Sequence, residues 1–232
     1  MKYVFYLVVL SLSFSGYSQI LNKDIKKIYP TRYYFESQRM QMFRALVSND
    51  AFLPTPLGTR ADELELKAWS HQVGICMGLS EHFYIDGAVS WLQNGESYAF
   101  ASLDSDSSFN YQTRYRYLAL PIQLKFTSGN KFKIYGGLGL LPGLYQGFKQ
   151  DIQWTNALGA AYDDQIKVNN TMNSFTLSWL SSFGLEAQLD TDYAFRLGVI
   201  YRAQFNNSYK PYEDYIHKSK GWGLQFGLTK NL

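Results

Sequence analysis

The strongest constraint on this chain is an alternation of side chains. Along 115–126 and again along 132–145, nearly every second residue is bulky and apolar while its neighbours are small or polar. Leu118, Leu120, Ile122, Leu124 and Phe126 share one parity, and Tyr117, Ala119, Pro121, Gln123 and Lys125 share the other. In the second run Phe132, Ile134, Leu138, Leu140 and Leu144 oppose Lys133, Tyr135, Gly137, Gly139, Gly143 and Tyr145. A period of two is that of a β-strand, whose successive side chains point to opposite faces. Ser128, Gly129, Asn130 and Lys131 provide turn chemistry between the runs, so the pair reads as a hairpin. One face is greasy throughout and the other is not, and the fold must give them different surroundings.

The same scheme recurs along the chain. Trp69, Val73, Ile75 and Met77 alternate with Ser70, Gln72, Gly74 and Cys76; Phe83, Ile85, Val89 and Trp91 with Tyr84, Asp86, Ala88 and Ser90. Phe175, Leu177, Phe183 and Leu185 oppose Thr176, Ser178, Ser182, Gly184 and Glu186. Phe195, Leu197, Val199 and Tyr201 oppose Arg196, Gly198 and Arg202, and Trp222, Leu224, Phe226 and Leu228 oppose Gly221, Gly223, Gln225 and Gly227. The connections alternate in length: short at 80–82, 128–131 and 190–192, long at 48–63, 95–112, 149–172 and 206–219. This is the rhythm of an up-and-down barrel with tight turns at one end and longer loops at the other. Seven strands are plain from Trp69 onward, and single-chain bacterial barrels have even strand numbers, so parity calls for an eighth at 33–47. Local pattern there is poor: Met40, Phe43 and Val47 also fit helical spacing, and Glu36, Gln38, Arg39 and Gln41 spoil the alternation.

Volume decides which face points outward. Eight strands enclose a space just wide enough for side chains or one small ligand. The bulky set would overfill it, whereas the Gly, Ala, Ser and Tyr set fits. An inverted, lipocalin-like carrier would also present an exterior poor in Lys and Glu. Charged residues make up 18% of the chain, against about a quarter in soluble domains, and aromatics 17%, with 19 tyrosines. The expectation is an all-β, eight-stranded antiparallel up-and-down transmembrane β-barrel with short periplasmic turns and long extracellular loops.

Other features agree. Lys2, an apolar run at 3–14 and the small residues Gly16 and Ser18 form a secretory signal peptide over 1–18, leaving a single barrel domain at 19–232. No later stretch has the length and apolarity of a membrane helix, so any crossing is made by strands. The lone Cys76 has no internal disulfide partner. Without Lys2 the net charge is +2, too balanced to suggest nucleic acid.

Inward parity collects Asp86, Gln123, Lys125, Lys133, Tyr135, Glu186, Arg196 and Arg202 into a polar network, with Gln72 and Gln225, that plugs the lumen. Trp69, Trp91, Tyr201 and Trp222 stand at the long-loop ends as interface aromatics. His71 shares the lipid-facing parity, but no Ser and acid lie at a matching spacing beside it for nucleophilic catalysis. Asp104-Ser105-Asp106 and Asp163-Asp164 lack the Gly and distal Glu of a calcium loop and read as solvated loop residues. No catalytic, cofactor-binding or metal residue is assigned.

The run Tyr117-Leu118-Ala119-Leu120-Pro121-Ile122-Gln123-Leu124-Lys125-Phe126, followed by Lys133-Ile134-Tyr135-Gly136-Gly137-Leu138-Gly139, resembles the core of the Bacteroidota outer-membrane β-barrel proteins, the porin-like or PorT-like group. It departs at Ala119, where members often carry Glu. The resemblance implies a cell-envelope barrel in the outer membrane with no defined catalytic residue to carry over. The expected role is non-enzymatic, structural or surface-interacting, with outer-membrane lipid and an extracellular or envelope protein as partners; accessory service to a secretion machinery is a variant. The alternatives are an outer-leaflet lipid enzyme centred on His71, of the lipid A deacylase kind, and the periplasmic carrier.

Overall fold

The computed structural model describes residues 29–46, 63–102, 104–167, 170–210 and 217–232. The expected signal peptide at 1–18, residue 47 and nearly all of the expected loop at 48–63 lie outside the described residues. The strands are β1 (Thr31–Leu46), β2 (Glu63–Leu64), β3 (Leu66–Gly78), β4 (Phe83–Ala101), β5 (Ser108–Ala119), β6 (Ile122–Gly129), β7 (Phe132–Thr155), β8 (Ala161–Ile166), β9 (Phe175–Gln188), β10 (Tyr193–Gln204) and β11 (His217–Asn231). They form eight staves: β2 leads into β3, β5 and β6 make one stave, and β8 is a flap on β7.

Every neighbouring pair is antiparallel, and the ring closes where β1 runs beside β11 from Arg32↔Asn231 to Leu46↔His217. Its other edge pairs with β3 from Thr31↔Met77 to Met42↔Leu66, so β1 is the eighth stave. Closure leaves the staves no unpaired edge, as a bilayer requires of a strand-built span. The pattern of β1 was hard to read because its inward side chains change character along the strand. Tyr34, Glu36 and Gln38 are buried in a polar region, Met40 and Met42 in an apolar one, while Tyr33, Phe35 and Arg39 point out.

The tight turns follow local chemistry. Gly129 has φ +115°, a conformation L side chains rarely adopt, and leaves Asn130 and Lys131 to join β6 to β7. Asp190 Oδ1 accepts the N–H groups of Asp192 (2.8 Å) and Tyr193 (2.7 Å), fixing the turn before β10. Pro121 splits the β5–β6 stave because it has no N–H to donate. The ladder is kept around it: Ala88 N–H reaches the Pro121 carbonyl at 3.1 Å and Leu120 N–H the Pro142 carbonyl at 2.9 Å.

Two of the loops expected from sequence are largely strand. β4 continues to Ala101, β5 starts at Ser108, and β7 runs to Thr155 before turning back as β8, so 95–112 and 149–172 build a sheet extension. The alternation fades there because both faces leave the bilayer, removing the rule that one face be apolar. Tyr98 and Tyr111 stack at 5.5 Å, and Trp154 meets Tyr162 edge-on at 5.4 Å. A bulge opposite Arg116 and Tyr117 adds one residue to β7 and swings Phe148 inward.

Candidate functional site

The lumen has three levels. Nearest the tight turns, Glu186 on β9 receives Arg196 Nε at 2.8 Å and Arg32 Nη1 at 2.7 Å, with Lys133 Nζ at 3.8 Å. Asp86 on β4 takes Lys125 Nζ at 2.5 Å and the Tyr34 hydroxyl, and Arg196 Nη1 stands 3.8 Å from Asp86 and 3.7 Å from Glu36. Gln72 Nε2 donates to Glu36 at 2.5 Å, Gln225 Nε2 to the Tyr135 hydroxyl at 2.6 Å, and Ser182 to Gln123 at 3.3 Å. The cations also lie over aromatic faces: Lys125 is 5.4 Å from the Tyr34 ring centre and Arg196 5.9 Å from that of Tyr135. Charges this buried are tolerable only when paired and hydrogen-bonded, and alternation delivers both signs to one level.

Above this network lies an apolar waist of Met40, Met42, Ala68, Leu92, Tyr117, Ala119, Leu141, Leu180 and Ile200. Arg202 belongs here, apart from the other charged residues of its parity. Its Nη2 points at Met42 Sδ, 3.6 Å away, and its Nε and Nη1 have no hydrogen-bond partner among the described residues. Thus Asp86, Gln123, Lys125, Lys133, Tyr135, Glu186 and Arg196 come together, and Arg202 does not join them. Arg32 and Glu36, which complete the network, were obscured by the mixed pattern of β1.

At the external level, His217 Nε2 lies 2.5 Å from Glu96 Oε2, and the Tyr115 hydroxyl donates to Glu96 Oε1 at 2.8 Å. Tyr209 packs edge-on to His217 at 5.4 Å. Glu96 and His217 fall in stretches that read as loops, so no local signal marked this cluster. Among the described residues no group of three or more His, Cys, Asp or Glu is arranged to hold a metal ion.

Outside, the greasy parity is exposed on every stave: Phe35, Val73, Ile85, Leu124, Leu138, Phe183, Val199 and Leu224 all face away from the lumen. The carrier orientation is therefore not adopted. Trp69, Trp91, Tyr201 and Trp222 are exposed on the same surface. Trp91 is the ninth residue of β4, so a membrane crossing of about nine to eleven residues ends near it and the rest of β4 projects beyond. His71 also faces outward, and the register supplies the serine that sequence spacing did not: Ser37, its partner on β1, places Oγ 2.9 Å from His71 Nδ1. The imidazole stacks between Phe35 and Trp69, and no carboxylate bonds to it among the described residues.

A closed strand ring with a polar lower lumen and an apolar exterior is a transmembrane β-barrel of the outer-membrane kind, and the outer membrane is where this chain resides. No protein-family model matches it, and no curated protein is detectably similar in sequence. Solved structures that align with it include three outer-membrane or surface proteins. Neisserial surface protein A is 8% identical, with 86% of this chain and 96% of that one covered and a TM-score of 0.43. OprG from Pseudomonas aeruginosa is 10% identical, covering 90% and 99%, with a TM-score of 0.43. Ail, the attachment invasion locus protein of Yersinia pestis, is 9% identical, covering 88% and 100%, with a TM-score of 0.37. No ligand or role transfers at that distance.

Proposed function

We propose that this is a small integral outer-membrane barrel that works without catalysis, its lumen plugged and its external strands and loops presented for structural or surface interaction. The observation that carries this reading is the stack of filled levels: the paired charges around Glu186 and Asp86, the apolar waist, and the Glu96–His217–Tyr115 cluster above it. A continuous water path would have to cross all three. β4, β5 and β7 meanwhile extend past Trp91 and offer a broad external sheet to a protein partner. The signal peptide and the Bacteroidota porin-like membership are part of the proposal and rest on 1–18 and on the motifs at 117–126 and 133–139. The test is reconstitution in planar bilayers: no appreciable single-channel conductance is expected, and stable large openings would overturn the plugged lumen. Deleting 102–107 and 156–160 tests the loops, since binding of an extracellular partner should be lost while the barrel still folds.

The contact of Ser37 with His71 supports a second reading, a lipid-modifying barrel, because a serine hydrogen-bonded to an imidazole is the start of an activated nucleophile. Without an acid among the described residues to orient the imidazole it is the weaker reading. Comparing outer-leaflet lipid acylation by mass spectrometry between wild type and His71→Ala decides it: an unchanged profile removes the enzyme.

A further inference from the structure

At the external end of the β3–β1–β11 face, the belt ends in cations. Arg39 on β1 stands opposite Trp69 on β3 and Leu224 on β11; two residues further out, Gln41 stands opposite Lys67 and Trp222; two further again, Phe43 stands opposite Lys220. Arg39, Lys67 and Lys220 are all exposed on the outer face. Arg39 and Lys67 are diagonal neighbours on adjacent strands, about 7–8 Å apart, so their long side chains can converge on one group, and Lys220 stands further out on the far side of β1 as a third cation. Between them, Arg39, Gln41, Lys67, Trp222, Gly223 and Leu224 line a groove of about 290 Å³. Arg39 lies over the Trp69 ring at 5.9 Å and makes no ion pair among the described residues. Among the described residues Lys67 has a loose contact, 3.9 Å to Glu65.

Among the described residues, the exposed charged side chains on this face of the external end are Arg39, Lys67 and Lys220 against Glu65. A cationic groove beside Trp69 and Trp222, level with the aromatic girdle, sits where the headgroups of the outer leaflet lie. We propose that it binds a phosphate-bearing lipid of the outer leaflet, Arg39, Lys67 and Lys220 holding the phosphate and Gln41 and Trp222 its polar surroundings. Ser37 and His71 lie one pair deeper, about 7 Å along the strands, at the depth of the acyl linkages, where their hydroxyl and imidazole can hydrogen-bond ester or amide groups. Arg39 is the anchor because a planar guanidinium matches phosphate in two-pronged fashion.

This inference rests on the outer-membrane reading, and its test separates the two. The full mature barrel, extracted from membranes in mild detergent, is titrated with diphosphorylated lipid A and with the dephosphorylated form, and occupancy is read by native mass spectrometry. The wild type should retain the diphosphorylated form at least about tenfold better. Each cation near an anionic surface is worth about fivefold, so R39Q/K67Q/K220Q should lose about tenfold or more, while R114Q/R116Q, on another face, should not. All variants should keep the migration shift on boiling that reports a closed barrel. Equal retention of both lipids, or of the phosphorylated lipid by the triple variant, overturns the proposal. Displacement of the lipid by millimolar inorganic phosphate also overturns it, reassigning the groove to the free ion. A wild-type chain absent from the membrane fraction would instead overturn the outer-membrane reading itself.

Discussion

Arg196 on β10 and Glu186 on β9 are paired in register, and the guanidinium Nε donates to the carboxylate at 2.8 Å directly across the two strands. Both side chains are almost wholly buried. Removing one partner strands the other in the lumen, a loss of about 3–5 kcal/mol for buried pairs. Glu186→Gln should therefore lower the urea midpoint of the barrel in lipid vesicles substantially, because Arg32 loses its partner as well. A change within experimental error would show that water, not Glu186, solvates these cations.

The Tyr135 phenol lies where two glycines make room for it. A Cβ on Gly198 would come within 2.4 Å of its hydroxyl and one on Gly184 within 2.7 Å, and each would also press on the neighbouring strand's backbone. Gly198→Ala should cost about 1–3 kcal/mol through overpacking and break the Gln225 contact. Gly136→Ala, on the lipid face with only Phe183 near at 3.9 Å, should stay within about 0.5 kcal/mol. Equal effects in the two unfolding curves would count against the tight lumen.

Cys76 is buried on the lumen side beside Tyr34 and Tyr84. In the folded barrel it should resist a water-soluble maleimide and react fully after boiling in detergent. Rapid labelling without heating would reveal an open lower lumen.

On the opposite surface, Leu138 is exposed midway along the crossing part of β7. Leu138→Arg should cost about 2–4 kcal/mol, the depth-dependent cost of a cation in the hydrocarbon region. Vesicle refolding equilibria of the variant and wild type give the value directly, and a neutral result would place this position outside the bilayer.

Asp151, on the β7–β8 hairpin, is held below the usual carboxylate range, first by the hydrogen bond from Lys149 and then by that from Gln165. A depressed carboxylate contributes stability above its unfolded pKa and loses it as pH falls through the folded one. Hydrogen exchange of the hairpin amides should thus quicken only under acid conditions, modestly because the pair is half-exposed. Asp151→Asn should remove that pH dependence.

Period and polarity alone determined the strand type, the seven regular staves, the tight turns and the outward face, because a bilayer demands an apolar exterior residue at every second position. The eighth stave was legible only through parity of count, since β1 faces a lumen that turns from polar at Glu36 to apolar at Met40. Parity likewise listed the inward charges but carried no information on their height along the barrel. That height is decided by the stagger of the closed ring. Closure brings Arg32 to Glu186 across 154 residues, sets Arg202 beside Met42 in the waist, sets Ser37 against His71, and joins Glu96 to His217 across 121. Such meetings depend on the register of β1 with β11 and β3, a property of eight strands closing together that no single segment encodes.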